Sequence, residues 1–173
     1  MMTRFYKLGI GSSILMVCLG WLLNCTAFES RELPRPLATM NTRDVVYSDW
    51  IRTDEWVSTS LFGLPARACD LAQSRLTATN LENGQLYVYT KFNDEIKSLP
   101  FTVGSEENEL RFDYSITQNT TLRLVEIGLR GSLKPATTPQ VFRYVLIPNQ
   151  LASKSKIDMS DYESVQAVFS LGD

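Results

Sequence analysis

The 173-residue chain contains no histidine. That absence removes Ser-His-Asp and Cys-His nucleophilic systems, histidine-ligated zinc and histidine general bases. Carboxylate pairs, lysine and tyrosine remain, so an enzyme is disfavoured rather than excluded. The expectation is a protein without catalytic residues, metal or cofactor. Cysteine is scarce as well, with Cys18, Cys25 and Cys69 making up the whole set. A domain of about 140 residues buries roughly two thirds of its surface and folds without a disulfide or metal staple. There is no basic block, and the net charge of −2 makes nucleic acid a poor partner. No internal repeat and no low-complexity tract is present, which disfavours a propeller or solenoid. Beyond residue 25 no apolar run is long enough to span a membrane.

What is present is ordinary globular composition, with Tyr, Phe, Trp and Thr well represented. Those residue types fit pleated, half-buried strands. The first 25 residues differ from the rest. Arg4 and Lys7 precede an apolar stretch from Leu8 to Leu23, and charge returns at Glu29, Arg31 and Glu32. This is the pattern of a secretion signal, a little short for a comfortable span. Its flanking charge keeps the N-terminus inside and sends the remainder out. A plain cleaved signal or a retained N-terminal helix would give the same profile.

The stretch ends Leu22-Leu23-Asn24-Cys25, which resembles the lipobox of bacterial lipoproteins. That resemblance implies acylation of the Cys25 thiol and cleavage just before it. Asn24 stands where the family usually has Gly, Ala or Ser. Two or three acyl chains would anchor the protein stably. The resulting division is a signal peptide over 1–24, a tether over 25–43 containing Pro34 and Pro36, and a folded domain over 44–173. Without Arg4 and Lys7 the mature chain has 15 basic and 19 acidic groups, a net −4.

The domain reads as strands. Candidates are 45–51, 56–62, 66–71, 86–92, 99–103, 110–116, 122–127 and 141–147. Leu110, Phe112, Tyr114 and Ile116 alternate with Arg111, Asp113 and Ser115, a period of two that marks a half-buried strand. Thr77 is placed to cap a helix reaching about Asn83, with Asn83-Gly84 as a left-handed turn. Ser160-Asp161-Tyr162-Glu163 has the form of a capping box. Its helix would bury Tyr162, Val165 and Phe169 and stop near Gly172. Pro148 and Asn149 are expected to end the last strand. The predicted fold class is all-β: an antiparallel β-sandwich of seven to eight strands, with a short helix between strands and a short C-terminal helix.

Few residues stand out as sites. Asp54-Glu55, Asp94-Glu95 and Glu106-Glu107-Asn108-Glu109 are acidic clusters in predicted loops, without the spacing of a calcium loop. Trp50, Trp56, Tyr87 and Tyr89 are a candidate aromatic binding surface, or else core. Cys69 is either a reactive leftover thiol or a small buried residue. Arg143, inside an apolar strand, is expected at an edge, half-exposed, or beside an acid. Asn119-Thr120-Thr121 matches the glycosylation pattern, accidental behind a bacterial leader.

The order Asp49-Trp50, Leu76-Thr77, Asn83-Gly84, Val88-Tyr89, Leu99-Pro100, Leu124-Val125, Phe142 to Pro148 and Asp161-Tyr162-Glu163 resembles small uncharacterised β-sandwich lipoproteins of bacteroidete-type bacteria. The resemblance spans roughly residues 44–172. It implies the anchor and the sandwich and brings no catalytic residue. The functional expectation is a lipid-anchored extracytoplasmic protein of the cell envelope, acting as a non-enzymatic binding or structural module. Its partners would be the membrane, through the lipid on Cys25, and an envelope protein or glycan. The alternatives are a carboxylate-dependent polysaccharide hydrolase, or a subunit of an envelope assembly joined by strand addition at a sheet edge.

Overall fold

The computed structural model describes residues 44–131, 133 and 140–172. The expected signal peptide, Cys25 and the expected tether lie outside the described residues. The strands are β1 (Val46–Tyr47), β2 (Ile51–Thr53), β3 (Val57–Leu61), β4 (Leu64–Leu71), β5 (Gly84–Phe92), β6 (Glu95–Ser98), β7 (Phe101–Ser105), β8 (Asn108–Ile116), β9 (Leu122–Arg130) and β10 (Gln140–Pro148). The helices are α1 (Ala78–Glu82), α2 (Asn149–Ser155) and α3 (Tyr162–Phe169).

Alternating side chains make each strand two-faced, and burying those faces produces a sandwich. One sheet runs β1-β10-β5-β6, with β2 also paired to β10. The other runs β3-β4-β9-β8-β7. Every pairing is antiparallel. Between the sheets lie Val88, Phe112, Leu122, Leu124, Phe142, Tyr144 and Leu146. The first sheet is buried on its other face too, because Val165, Val168 and Phe169 of α3 and Leu151 of α2 pack on Tyr89, Val145 and Ile147. Burial of this kind is worth about 1.5–3 kcal/mol per large apolar side chain. This explains why β10 reads as a nearly unbroken apolar run rather than an alternation.

Several expectations are corrected in detail. The described residues hold ten strands rather than seven or eight. The predicted strand over 45–51 is two pieces, because Ser48 substitutes for the ladder. Its N–H donates to the Tyr144 carbonyl at 3.1 Å, and its hydroxyl accepts from the Tyr144 N–H at 3.1 Å. β6 begins at Glu95, although Asp94-Glu95 is expected in a loop. Asn93 and Asp94, both at positive φ, make a tight two-residue turn, and Glu95 already pairs with Phe92. Strand 99–103 starts later, at Phe101, after a cis Leu99–Pro100 bond. After Pro148 the chain turns directly into α2, a helix whose seven residues are too few to show a period.

The helix ends also differ from expectation. Thr77 does cap α1, its hydroxyl accepting the Asn80 N–H at 3.2 Å. Asn83 closes that helix at φ −99°, so no left-handed turn forms. Gly84 serves close approach instead: a Cβ there would lie 3.0 Å from the Asn80 carbonyl and 3.0 Å from Leu146 Cδ1. At α3 the N-cap is Asp161 rather than Ser160, so the capping box is not made. Tyr162, Val165 and Phe169 are buried as expected, and Ser170 ends the helix in a left-handed conformation.

Arg143 is neither at an edge nor half-exposed. It is 1% exposed on β10, beneath α3. Its Nε donates to the Ser48 carbonyl at 2.7 Å, one Nη to the Gly172 carbonyl at 2.6 Å, and the other Nη to the Tyr162 hydroxyl. Its guanidinium lies 5.3 Å from the Tyr47 ring centre and 5.5 Å from that of Trp50. These aromatic faces and neutral oxygens solvate the charge. The break at Ser48 therefore has a purpose, since it turns a strand carbonyl toward Arg143.

Candidate functional site

Of the aromatic residues singled out from the sequence, Tyr89 is buried and Trp50, Trp56 and Tyr87 are partly buried. Tyr89 is fully buried under α3 and donates its hydroxyl to the Met159 carbonyl at 2.7 Å. Burial pushes its phenol far above the ordinary range. Tyr87 lies on the same face of β5, partly buried, with its hydroxyl 2.6 Å from Gln85 Oε1. Trp50 packs on Tyr162, ring centres 5.4 Å apart, with Lys91 Nζ 4.6 Å above it. Trp56, partly buried, packs against the inter-sheet core, its ring centre 6.2 Å from that of Phe142. Three of the four thus brace the helical layer, and the fourth packs between the sheets.

A cleft of about 630 Å³ opens where the chain crosses from β2 to β3. Its lining includes Asp54, Glu55, Thr59, Cys69, Asp70 and Arg123. Cys69 is buried, and burial pushes its thiol up, with Asp70, Glu55 and Asp54 adding to the effect. It stays protonated at neutral pH and is a poor nucleophile. Arg123 holds Asp70 through two bonds of 2.6 Å, which lowers that carboxyl below the usual range. Asp54 and Glu55 adjoin on one connection. Among the described residues no group of three or more acids or thiols is arranged to hold a metal.

Glu126 is 2% exposed and ion-paired to Arg67 on the neighbouring strand. Strand alternation points both inward with Leu124 and Cys69. Burial raises the Glu126 carboxyl despite the opposing pull of Arg67. Among the described residues, Arg67 Nε and Gln140 Oε1 find no hydrogen-bond partner. This end of the core is polar, and its acid is shut away from any large substrate.

One wall of the cleft is β3, whose residues are the most exposed of any strand. Val57 is 68% exposed, Ser58, Thr59 and Ser60 are exposed on both faces, and the hairpin beyond projects past the core. Among the described residues nothing pairs with the outer edge of β3. Other edges carry protection. β6 bears Glu95 and Lys97, 2.6 Å apart; β1 and β2 are short and interrupted; β7, uncharged like β3, is broken by Gly104 at φ 126°. β3, reading Val-Ser-Thr-Ser-Leu, has no charge, proline or register shift.

Its tip is unusual. Phe62 and Gly63, at φ 53° and 79°, form the two-residue turn between Leu61 and Leu64. Such turns favour Asn-Gly, because a side chain costs about 1–2 kcal/mol in the left-handed region. Phe62 accepts that cost while remaining 98% exposed. It contributes neither core packing nor turn propensity. The sequence predicted a strand at 56–62 but did not single out this surface. The Phe-Gly turn was its one visible signal. No protein-family model, curated protein or solved structure matches the chain.

Proposed function

We propose that this protein is a non-enzymatic module of the cell envelope, lipid-anchored through Cys25, that joins other protein by strand addition along β3. The observation that carries the reading is an uncharged edge strand, uncovered among the described residues and ending in a solvent-exposed phenylalanine. Backbone N–H and C=O groups on such an edge supply affinity, and flanking side chains supply choice of partner. The adjoining cleft, with Arg123 and Asp70, offers polar contacts to whatever lies along the strand.

The anchor and the edge are tested separately. Replacing Cys25→Ser should move the protein from membrane to soluble fractions, and unchanged membrane retention counts against the lipid. Ser60→Pro removes an outward-facing N–H while leaving an edge position that tolerates proline. It should abolish association measured by crosslinking in intact cells; undiminished crosslinking would remove the edge as the contact.

A further inference from the structure

We infer that the strand added to β3 is β3 of a second copy, paired antiparallel about a two-fold axis at Thr59. This rests on the strand-addition reading above and names the occupant. The argument begins with hydrogen-bond phase. A two-residue hairpin closes on a pair that exchanges both of its bonds, here Leu61 with Leu64. Bonded pairs then recur at every second residue: Thr59 with Ala66, and Val57 with Ala68. The N–H and C=O groups of Ser58 and Ser60 therefore point away from β4, toward the open edge.

Those are the groups that a two-fold at Thr59 brings together. Ser58 of one copy faces Ser60 of the other and exchanges both bonds with it, and symmetry repeats the exchange. Thr59 then meets its own copy in a non-bonded pair, where side chains are closest. The sequence is self-complementary in this register. Val57 faces Leu61, serine faces serine, and threonine faces threonine, a favourable cross-strand pair. No charge opposes itself across the axis, where residue 59 is the one position that faces its own copy. The same register places the Phe62 tip of each copy beside Trp56 and Val57 of the other. Val57 and Phe62, the two most exposed large apolar residues described, sit at opposite ends of β3. An antiparallel partner covers both at once, which a single copy cannot do.

A closed two-fold caps each edge with the other and leaves no further β3 edge to propagate a fibre. Five residues per copy bury less than the about 1,200 Å² of a stable standard complex. Association is therefore weak in dilute solution and favoured where the chains are held at high local concentration.

The test uses the full chain in detergent, with sedimentation equilibrium across a concentration series. Wild type should dimerise reversibly. Thr59→Lys and Thr59→Glu, each placing like charges face to face, should weaken the dimer about tenfold or more. An equal mixture of the two should regain it as a heterodimer. Thr59→Cys should give a covalent dimer on mild oxidation that wild type, whose Cys69 is buried, does not. A monomeric wild type at the highest concentration, or charge variants that dimerise unchanged, would overturn self-pairing. The two readings separate through Ser60→Pro. If cellular crosslinks survive Thr59→Lys but vanish in Ser60→Pro, the occupant is a different protein and only the self-pairing is lost. If both variants crosslink as wild type does, strand addition falls as well.

Discussion

Replacing Arg143 by lysine should cost about 3 kcal/mol. Arg143 is the joint between the broken edge strand, the start of α3 and the C-terminal turn. Its forked head reaches three acceptors at once: the Ser48 carbonyl, the Tyr162 hydroxyl and the Gly172 carbonyl. Lysine keeps the charge but presents one nitrogen, which cannot span acceptors that lie on different sides of a planar fork. Two of the three bonds are lost, at about 1.5 kcal/mol each for a charged donor. Contacts with the faces of Tyr47, Trp50 and Tyr162 also weaken. For a domain of this size such a loss lowers Tm by roughly 10 °C. Thermal unfolding of the full chain followed by circular dichroism gives the magnitude. Amide exchange gives the location, because α3 and residues 170–172 should lose protection ahead of β5 and β10. A stability loss under about 1 kcal/mol with α3 amides unchanged would refute the idea that the guanidinium fastens the helical layer.

Three further outcomes follow from the packing. Phe62→Asn should stabilise the monomer by about 0.5–1 kcal/mol by suiting the left-handed turn; a loss of stability in urea titration would mean the ring contributes to folding. Gly84→Ala should destabilise by about 1–3 kcal/mol, since its methyl would press on the Asn80 carbonyl and Leu146, and a neutral result would show that β5 can shift there. Glu126 has a raised pKa in the fold, so its contribution to stability is full below the ordinary glutamate value and declines as pH rises through the raised one. Glu126→Gln should flatten that decline in denaturant unfolding measured from pH 4 upward, and an identical slope in both proteins would assign the pH dependence elsewhere.

Local chemistry made much of the fold legible. The period of two in 110–116 marked β8, Thr77 marked the start of α1, and Tyr162, Val165 and Phe169 marked the buried side of α3. Errors came where a distant partner overrode a local signal. Asn83-Gly84 looked like a helix stop, yet the glycine is needed because β10 passes too close for a methyl group. The segment 45–51 looked like one strand, yet Ser48 turns aside to serve Tyr144 and Arg143, about a hundred residues later. The aromatic residues were visible, with core and surface both open as readings, and the choice fell to α2 and α3, which pack on one face of a sheet whose sequence does not say which side is covered.

The sequence by itself determined the class of fold, through alternation, turn residues and one amphipathic helix, since these depend only on neighbours along the chain. The absence of histidine likewise set the bounds on chemistry without any coordinates. Tertiary structure alone decided which strand became an edge, where Arg143 found its acceptors, and that Phe62 stands in solvent. Those outcomes depend on pairings between segments far apart in the chain, and side-chain periodicity carries no record of which strands lie side by side.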